Sequence, residues 1–239
     1  MLRIEWNNFL FLPTKGWLID IGCRGFVLPK IAAGRGMKVI AVDPAPDISG
    51  PENQNIFYEQ VVIVGSEKAA TVDFYIATNK MISRISASDR DPAAENVTGQ
   101  RPPDTTEVKK LPAMTLEKLL HKYGLSHVEV LKLNCEGAEE QTLLNLKRPV
   151  ARQISVEFHR HLGFPGFTGQ IRGHMSAWYG WISSIEDYPF ERVVFFLKDD
   201  WKLNFFALLA KIQAILSAFL YAAKKVYYYI KSPLEFLKK

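Results

Sequence analysis

Residues 17–25 read WLIDIGCRG. An apolar run ends in Asp20, and a turn with glycines at 22 and 25 follows. Residues 38–44, KVIAVDP, repeat the pattern: an apolar run closes on Asp43 and Pro44 stops it. Between them, residues 27–33 have helix-like composition, and Gly34 and Gly36 mark the end. Strand, turn, helix and strand in this order predict the first unit of a nucleotide-type α/β sheet, with the ligand across the carboxyl ends of the strands.

The turn itself limits the ligand. A dinucleotide site requires G-x-G-x-x-G, and Gly22-Cys23-Arg24-Gly25-Phe26-Val27 does not supply it. Asp20, two residues before the first glycine, repels a pyrophosphate. It suits a cationic or zwitterionic group, such as the amino-acid end of S-adenosylmethionine. Asp43 is placed to accept from two ribose hydroxyls, each charged hydrogen bond contributing about 1.5–3 kcal/mol. The plainer alternative is that both acids terminate strands.

The chain beyond alternates strand and helix. Residues 56–64 and 70–77 read as strands, with a turn from Gly65 to Lys68 between them. Residues 83–107, rich in Ser, Asp, Pro and Gly, read as a surface loop or a lid. A helix is expected over 114–124 with Thr115 as its cap, a strand over 128–134, a helix over 136–146 and a strand over 152–158. This predicts a Rossmann-like, doubly wound, mostly parallel sheet. After 159 the expectation is a connecting loop over 160–175, a helix over 175–185 and a last strand over 192–197. Residues 1–16 read as a lead-in.

Bulk composition excludes some classes. Hydrophobic residues make up 48% and charged residues 23%, which is enough apolar surface for a self-supporting core. The net charge of +5 is concentrated late: residues 198–239 hold eight lysines against three acids. No nucleic-acid groove is expected from that distribution. Two cysteines, Cys23 and Cys135, are too few for a disulfide framework, so reduced thiols beside the ligand and a cytoplasmic setting are expected.

A second polar group lies in residues 131–139, LKLNCEGAE. Lys132 interrupts an apolar strand, and Asn134 shares its face because the strand period is two. Glu136 is either a site residue or an acid favoured by a helix start. Glu157 and His159 close the strand over 152–158 on a common face, where an acid and an imidazole could deprotonate an acceptor hydroxyl. Glu157, His159 and His161 also form a conceivable metal set, but nothing elsewhere closes it, so no metal is expected.

Taken together, WLIDIGCRG, VIAVDP, the Thr115-Leu116 helix start, LKLNCEGAEEQTLL and SVEFH resemble the FkbM-type family of S-adenosylmethionine-dependent methyltransferases over residues 17–160. The resemblance implies a methyltransferase-type Rossmann-like fold and methyl transfer, most often to an oxygen of a sugar or small natural product. It implies that Asp20, Gly22 and Gly25 line the methionine end of the cofactor and that Asp43 holds the ribose. Cys23 and Ser66 are assigned to the same side. Lys132, Glu136 and Glu139 fall in the segment beside the acceptor, and Lys132, Glu136, Glu157 and His159 are the catalytic candidates. Two positions depart from the family pattern: Phe26 replaces a common glycine, and Asn134 replaces a usual acid. The second departure keeps a non-catalytic scaffold as a rival, and a nicotinamide-dependent oxidoreductase is the other.

The expected division is a methyltransferase domain over 1–200 and a helical tail over 201–239. Residues 203–223 are apolar except for Lys211 and a narrow polar stripe. That pattern suits an amphipathic C-terminal helix lying on a membrane surface, packed on the domain, or pairing two copies; a spanning helix would bury Lys211. The expected partners are therefore a small-molecule or glycan acceptor, with a membrane surface or a second copy through the tail.

Overall fold

The computed structural model describes residues 2–5, 8–45, 49–66, 70–77, 84–85, 105–135, 138–159, 167–183, 190–200, 205 and 208. An N-terminal hairpin, β1 (Leu2–Glu5) and β2 (Asn8–Phe11), precedes β3 (Trp17–Ile21), α1 (Val27–Gly34) and β4 (Lys38–Val42). Next come β5 (Ile56–Glu59), β6 (Val62–Ile63), β7 (Thr71–Ala77), β8 (Arg84–Ile85) and β9 (Thr105–Met114). The rest is α2 (Leu116–Lys122), β10 (Val128–Leu133), α3 (Glu139–Leu144), β11 (Ala151–His159), α4 (Gly169–Met175), β12 (Tyr179–Ser183) and β13 (Phe190–Leu197).

The main sheet has seven strands in the order β12-β13-β11-β10-β3-β4-β5. β11, β10, β3, β4 and β5 are mutually parallel, and β13 runs antiparallel to both of its neighbours. The chain leaves β3 in one direction, through β4 to β5, and returns on the other side at β10. The switch point is therefore the β3–β10 boundary, where open α/β sheets open a crevice at the carboxyl ends of their strands.

Alternation along the strands assigns the two faces. Ile19, Ile21, Leu131, Leu133, Ile154 and Val156 face one core, shared with Leu116, Leu119 and Leu120 of α2, Leu143 of α3 and Ile171 of α4. Leu18, Val39, Ala41 and Val130 face the other, against Leu28, Ala32 and Ala33 of α1 and Leu10 of the hairpin. Phe11 continues this cover over Val194 and Phe196. Its N–H donates to Oε1 of buried Gln153 at 3.0 Å. Thus α1 packs on β3, β4 and β5, and the hairpin on β11 and β13.

A smaller sheet, β6-β9-β7-β8, leans on the turn after β10. Val62, Val64, Val72 and Phe74 bury Ala138 and pack against Cys135. Gly65 sits so close to α3 that a Cβ there would lie 2.6 Å from Cβ of Gln141.

Several expectations change. Residues 1–16 hold the hairpin, because Leu10 and Leu12 are core residues. Residues 56–64 split between two sheets, breaking after Glu59. β9 begins inside the expected loop over 83–107 and tolerates Pro112 near its end. Residues 169–175, expected in a loop, are helical with Thr168 as N-cap, its side chain accepting from the Ile171 N–H. The expected helix over 175–185 is strand β12: Tyr179 pairs with Leu197 and is fully buried, and its hydroxyl donates to the Ala151 carbonyl at 2.9 Å. Aromatic residues with Gly180 suit an edge strand as well as a helix, and only the partner β13 decides. The tail over 201–239 lies outside the described residues except Phe205 and Leu208, which are helical and exposed. No helix among the described residues is long and apolar enough to cross a membrane.

Candidate functional site

Asp20 and Lys132 stand directly opposite each other in the parallel β3–β10 pairing. Both are interior to apolar strands, and both project from the α1 face because their neighbours fill the other core. Lys132 Nζ lies 2.8 Å from Asp20 Oδ1; the side chains are 23% and 2% exposed respectively. The carboxylate is therefore beneath and the lysine is the more open member. The pair is at the switch point.

One step toward the carboxyl ends, the ladder continues through the turns. The Gly22 N–H donates to the Val42 carbonyl at 2.8 Å, and the Asn134 N–H to the Ile21 carbonyl at 3.0 Å. Gly22 has φ +80°, and a Cβ there would lie 1.6 Å from the Asn134 carbonyl oxygen. The demand for glycine at 22 thus comes from the neighbouring strand end. Gly25 is different: it is exposed, and a Cβ there would meet only Val27 Cγ2, at 3.7 Å. Phe26 adopts φ 51° before α1 and buries its ring edge-on against Tyr58.

Asp43 is buried just past β4. Its Oδ1 accepts from the Ala45 N–H at 2.9 Å, which fixes the carboxylate in an Asx-type turn. The Tyr58 hydroxyl donates to the Asp43 carbonyl at 2.9 Å. Cys23 is buried among these groups. Burial, and then the negative charges of Asp20 and Asp43, push its thiol far up, with Lys132 offsetting in part. Cys23 stays a protonated thiol and is no nucleophile at neutral pH.

On the other side of the switch point, Asn134 just past the end of β10, Glu157 on β11 and Arg192 on β13 form a polar row. Glu157 pairs in register with Arg192, whose Nε donates to Glu157 Oε2 at 2.6 Å. The Asn134 amide donates to Glu157 Oε1 at 3.4 Å. Glu139 is also buried, and its Oε1 accepts the Cys135 N–H at 2.9 Å, bracing the turn that carries Asn134.

The structure thus brings Asp20, Gly22, Cys23, Asp43, Lys132 and Glu157 to the carboxyl edge of one sheet. Ser66 is half-buried in the turn beside α3. His159 ends β11 opposite Phe190. Glu136 and His161 lie outside the described residues. No group of three metal-ligating side chains occurs among the described residues. Reading the sequence missed Arg192 and Tyr58. Arg192 lies in a strand the sequence identified, but its register against Glu157 exists only in the folded sheet.

An open, parallel-rich sheet whose strand order reverses at the β3–β10 boundary places the chain among the doubly wound α/β proteins, whose ligands lie in the crevice at that point. Within that class the chain belongs to the FkbM methyltransferase family: the methyltransferase FkbM domain matches residues 22–191. Among solved structures, the chain is similar to a TehB-like S-adenosylmethionine-dependent methyltransferase from Corynebacterium glutamicum, at 10% identity and a TM-score of 0.40, covering 77% of this chain and 80% of that one. No curated protein matches the chain.

Proposed function

We propose that the protein transfers a methyl group from S-adenosylmethionine to a hydroxyl of a sugar, glycan or small molecule. The observation that carries this reading is the placement of Asp20, Lys132 and Asp43 at the carboxyl ends of adjacent switch-point strands. The residues fit the cofactor chemically. A charged pair suits a zwitterionic amino-acid end, a fixed carboxylate suits a diol, and the exposed Gly25 turn has room for close approach. When bound, the cofactor supplies an electrophilic methyl group.

This chain's own residues would orient the two reactants, and positioning is the larger share of such catalysis. Glu157 is the base proposed to accept the acceptor's proton, held in place by Arg192 and Asn134. The same two contacts also favour a second reading, a non-catalytic binding protein in which Glu157 is structural. Isothermal calorimetry with S-adenosylhomocysteine and, separately, NAD tests the first reading; binding of NAD alone overturns it. A methylation assay with radiolabelled donor across hydroxylated acceptors then separates enzyme from scaffold.

The tail over 201–239 is proposed to hold the domain at a membrane surface or against a second copy. Its lysine excess and apolar run support that reading. Liposome flotation and sedimentation of the full chain, compared with a chain ending at residue 200, test it.

A further inference from the structure

We infer that Lys132 is a binding residue for the carboxylate of the methyl donor's amino-acid end, with Asp20 beneath it as its counter-ion and positioning residue. The inference rests on the methyl-donor reading and reverses the electrical sense that the sequence suggests for the site. Asp20 is 1% exposed overall, so a ligand ammonium reaches its carboxylate only by displacing what already covers it. Lys132 is the cation paired with it, at 2.8 Å, and is the more exposed of the two. An approaching zwitterion therefore meets an ammonium first.

The placement of Lys132 in the sheet agrees. α1 covers β3 to β5 and the hairpin covers β11 and β13, so β10 runs between the two covers. Lys132 projects from that face near the carboxyl end of β10, two residue pairs from the Gly22–Asn134 contact. Its direct neighbour on β11 is the uncharged Ser155, and the carboxylate further along that strand, Glu157, is paired with Arg192. The ammonium head carries three donors, so bonding to Asp20 and to a ligand carboxylate together is within its capacity. Asp20 fixes the lysine rotamer in advance, and a positioned donor binds a carboxylate with less ordering cost.

The test compares three ligands by calorimetry on the full chain: S-adenosylhomocysteine, its decarboxylated analogue, and 5′-methylthioadenosine. The wild type is expected to bind S-adenosylhomocysteine about tenfold or more tighter than the decarboxylated analogue, the range for a charge-assisted hydrogen bond. In Lys132→Met the ratio should fall to near one, with methylthioadenosine affinity changed by less than about twofold. The double variant Asp20→Asn with Lys132→Met removes both charges and should give the same ratio if the single variant folds poorly. A ratio near one in the wild type, or a ratio kept in the variants, overturns the proposal alone. Failure of all three ligands to bind the wild type overturns the methyl-donor reading and this proposal with it.

Discussion

The carbonyl of Asn134 lies against the Cα of Gly22, so close that a Cβ at residue 22 would sit 1.6 Å from the carbonyl oxygen. Two strand ends, far apart in the chain, are locked there into one edge of the crevice. Gly22→Ala must move a backbone and also strain a φ of +80°. A loss of about 3 kcal/mol or more is expected, read as a lower urea midpoint. Gly25→Ala meets only Val27 Cγ2, at an ordinary van der Waals distance, and should change stability by less than about 0.5 kcal/mol. If the turn lies against the cofactor, it weakens S-adenosylhomocysteine binding all the same.

Lys132 and Asp20 form a largely buried ion pair. Breaking it from one side leaves a buried charge unpaired. Lys132→Met should cost about 3–5 kcal/mol, and adding Asp20→Asn should recover most of that. Chemical denaturation of the four species of the cycle gives the coupling directly.

The Asn134 amide donates to Glu157. Asn134→Asp replaces that donor with a second carboxylate next to the first. The two repel at neutral pH, and a destabilisation of about 1–2 kcal/mol is expected, relieved when Glu157→Gln is added. In the enzyme reading the same change lowers methyl transfer, because the base is displaced. Activity that rises from nothing in Asn134→Asp would support the scaffold reading of the wild type.

Glu139 is a brace for the turn between β10 and α3. Glu139→Ala removes the carboxylate that accepts the Cys135 N–H and should cost about 1–3 kcal/mol, whereas Glu139→Gln keeps an acceptor and costs less. Thermal melts of the two variants side by side check the order.

His127, just before β10, provides a pH signature. Burial lowers its pKa from the ordinary value, with Glu129 opposing and Arg152 and Arg148 adding to the drop. Between that lowered native pKa and an unfolded value of about 6.5, the unfolded chain binds more protons. Stability therefore falls as pH falls through this window. His127→Gln should flatten the dependence of the urea midpoint between pH 7 and pH 5.

Much of the fold was legible because its strands carry unbroken apolar runs that end in an acid or a turn residue. WLIDI and KVIAV became β3 and β4 within a residue, and Thr115 caps α2 as expected, accepting from the Lys118 N–H. The second half was less legible. Residues 175–185 carry Trp178, Trp181 and Tyr179 at spacings that suit either a helix or an edge strand. Only pairing with β13 selects the strand. The hairpin over residues 2–11 was missed for a similar reason, since a short two-stranded unit has little periodicity of its own and is held by what it covers.

At the site, the sequence by itself determined which residue types stand at the carboxyl ends of the strands: Asp20, Asp43, Lys132, Asn134 and Glu157 follow from local periodicity, which is a short-range property. It also determined the family, through motifs that are local too. Only the tertiary structure decided how these groups are paired. Strand order and register join residues far apart in sequence, so Lys132 meets Asp20 and Arg192 meets Glu157 only once the sheet is assembled. That register turns Asp20 from an open acid into the covered counter-ion of a lysine, and gives Gly22 its reason in Asn134.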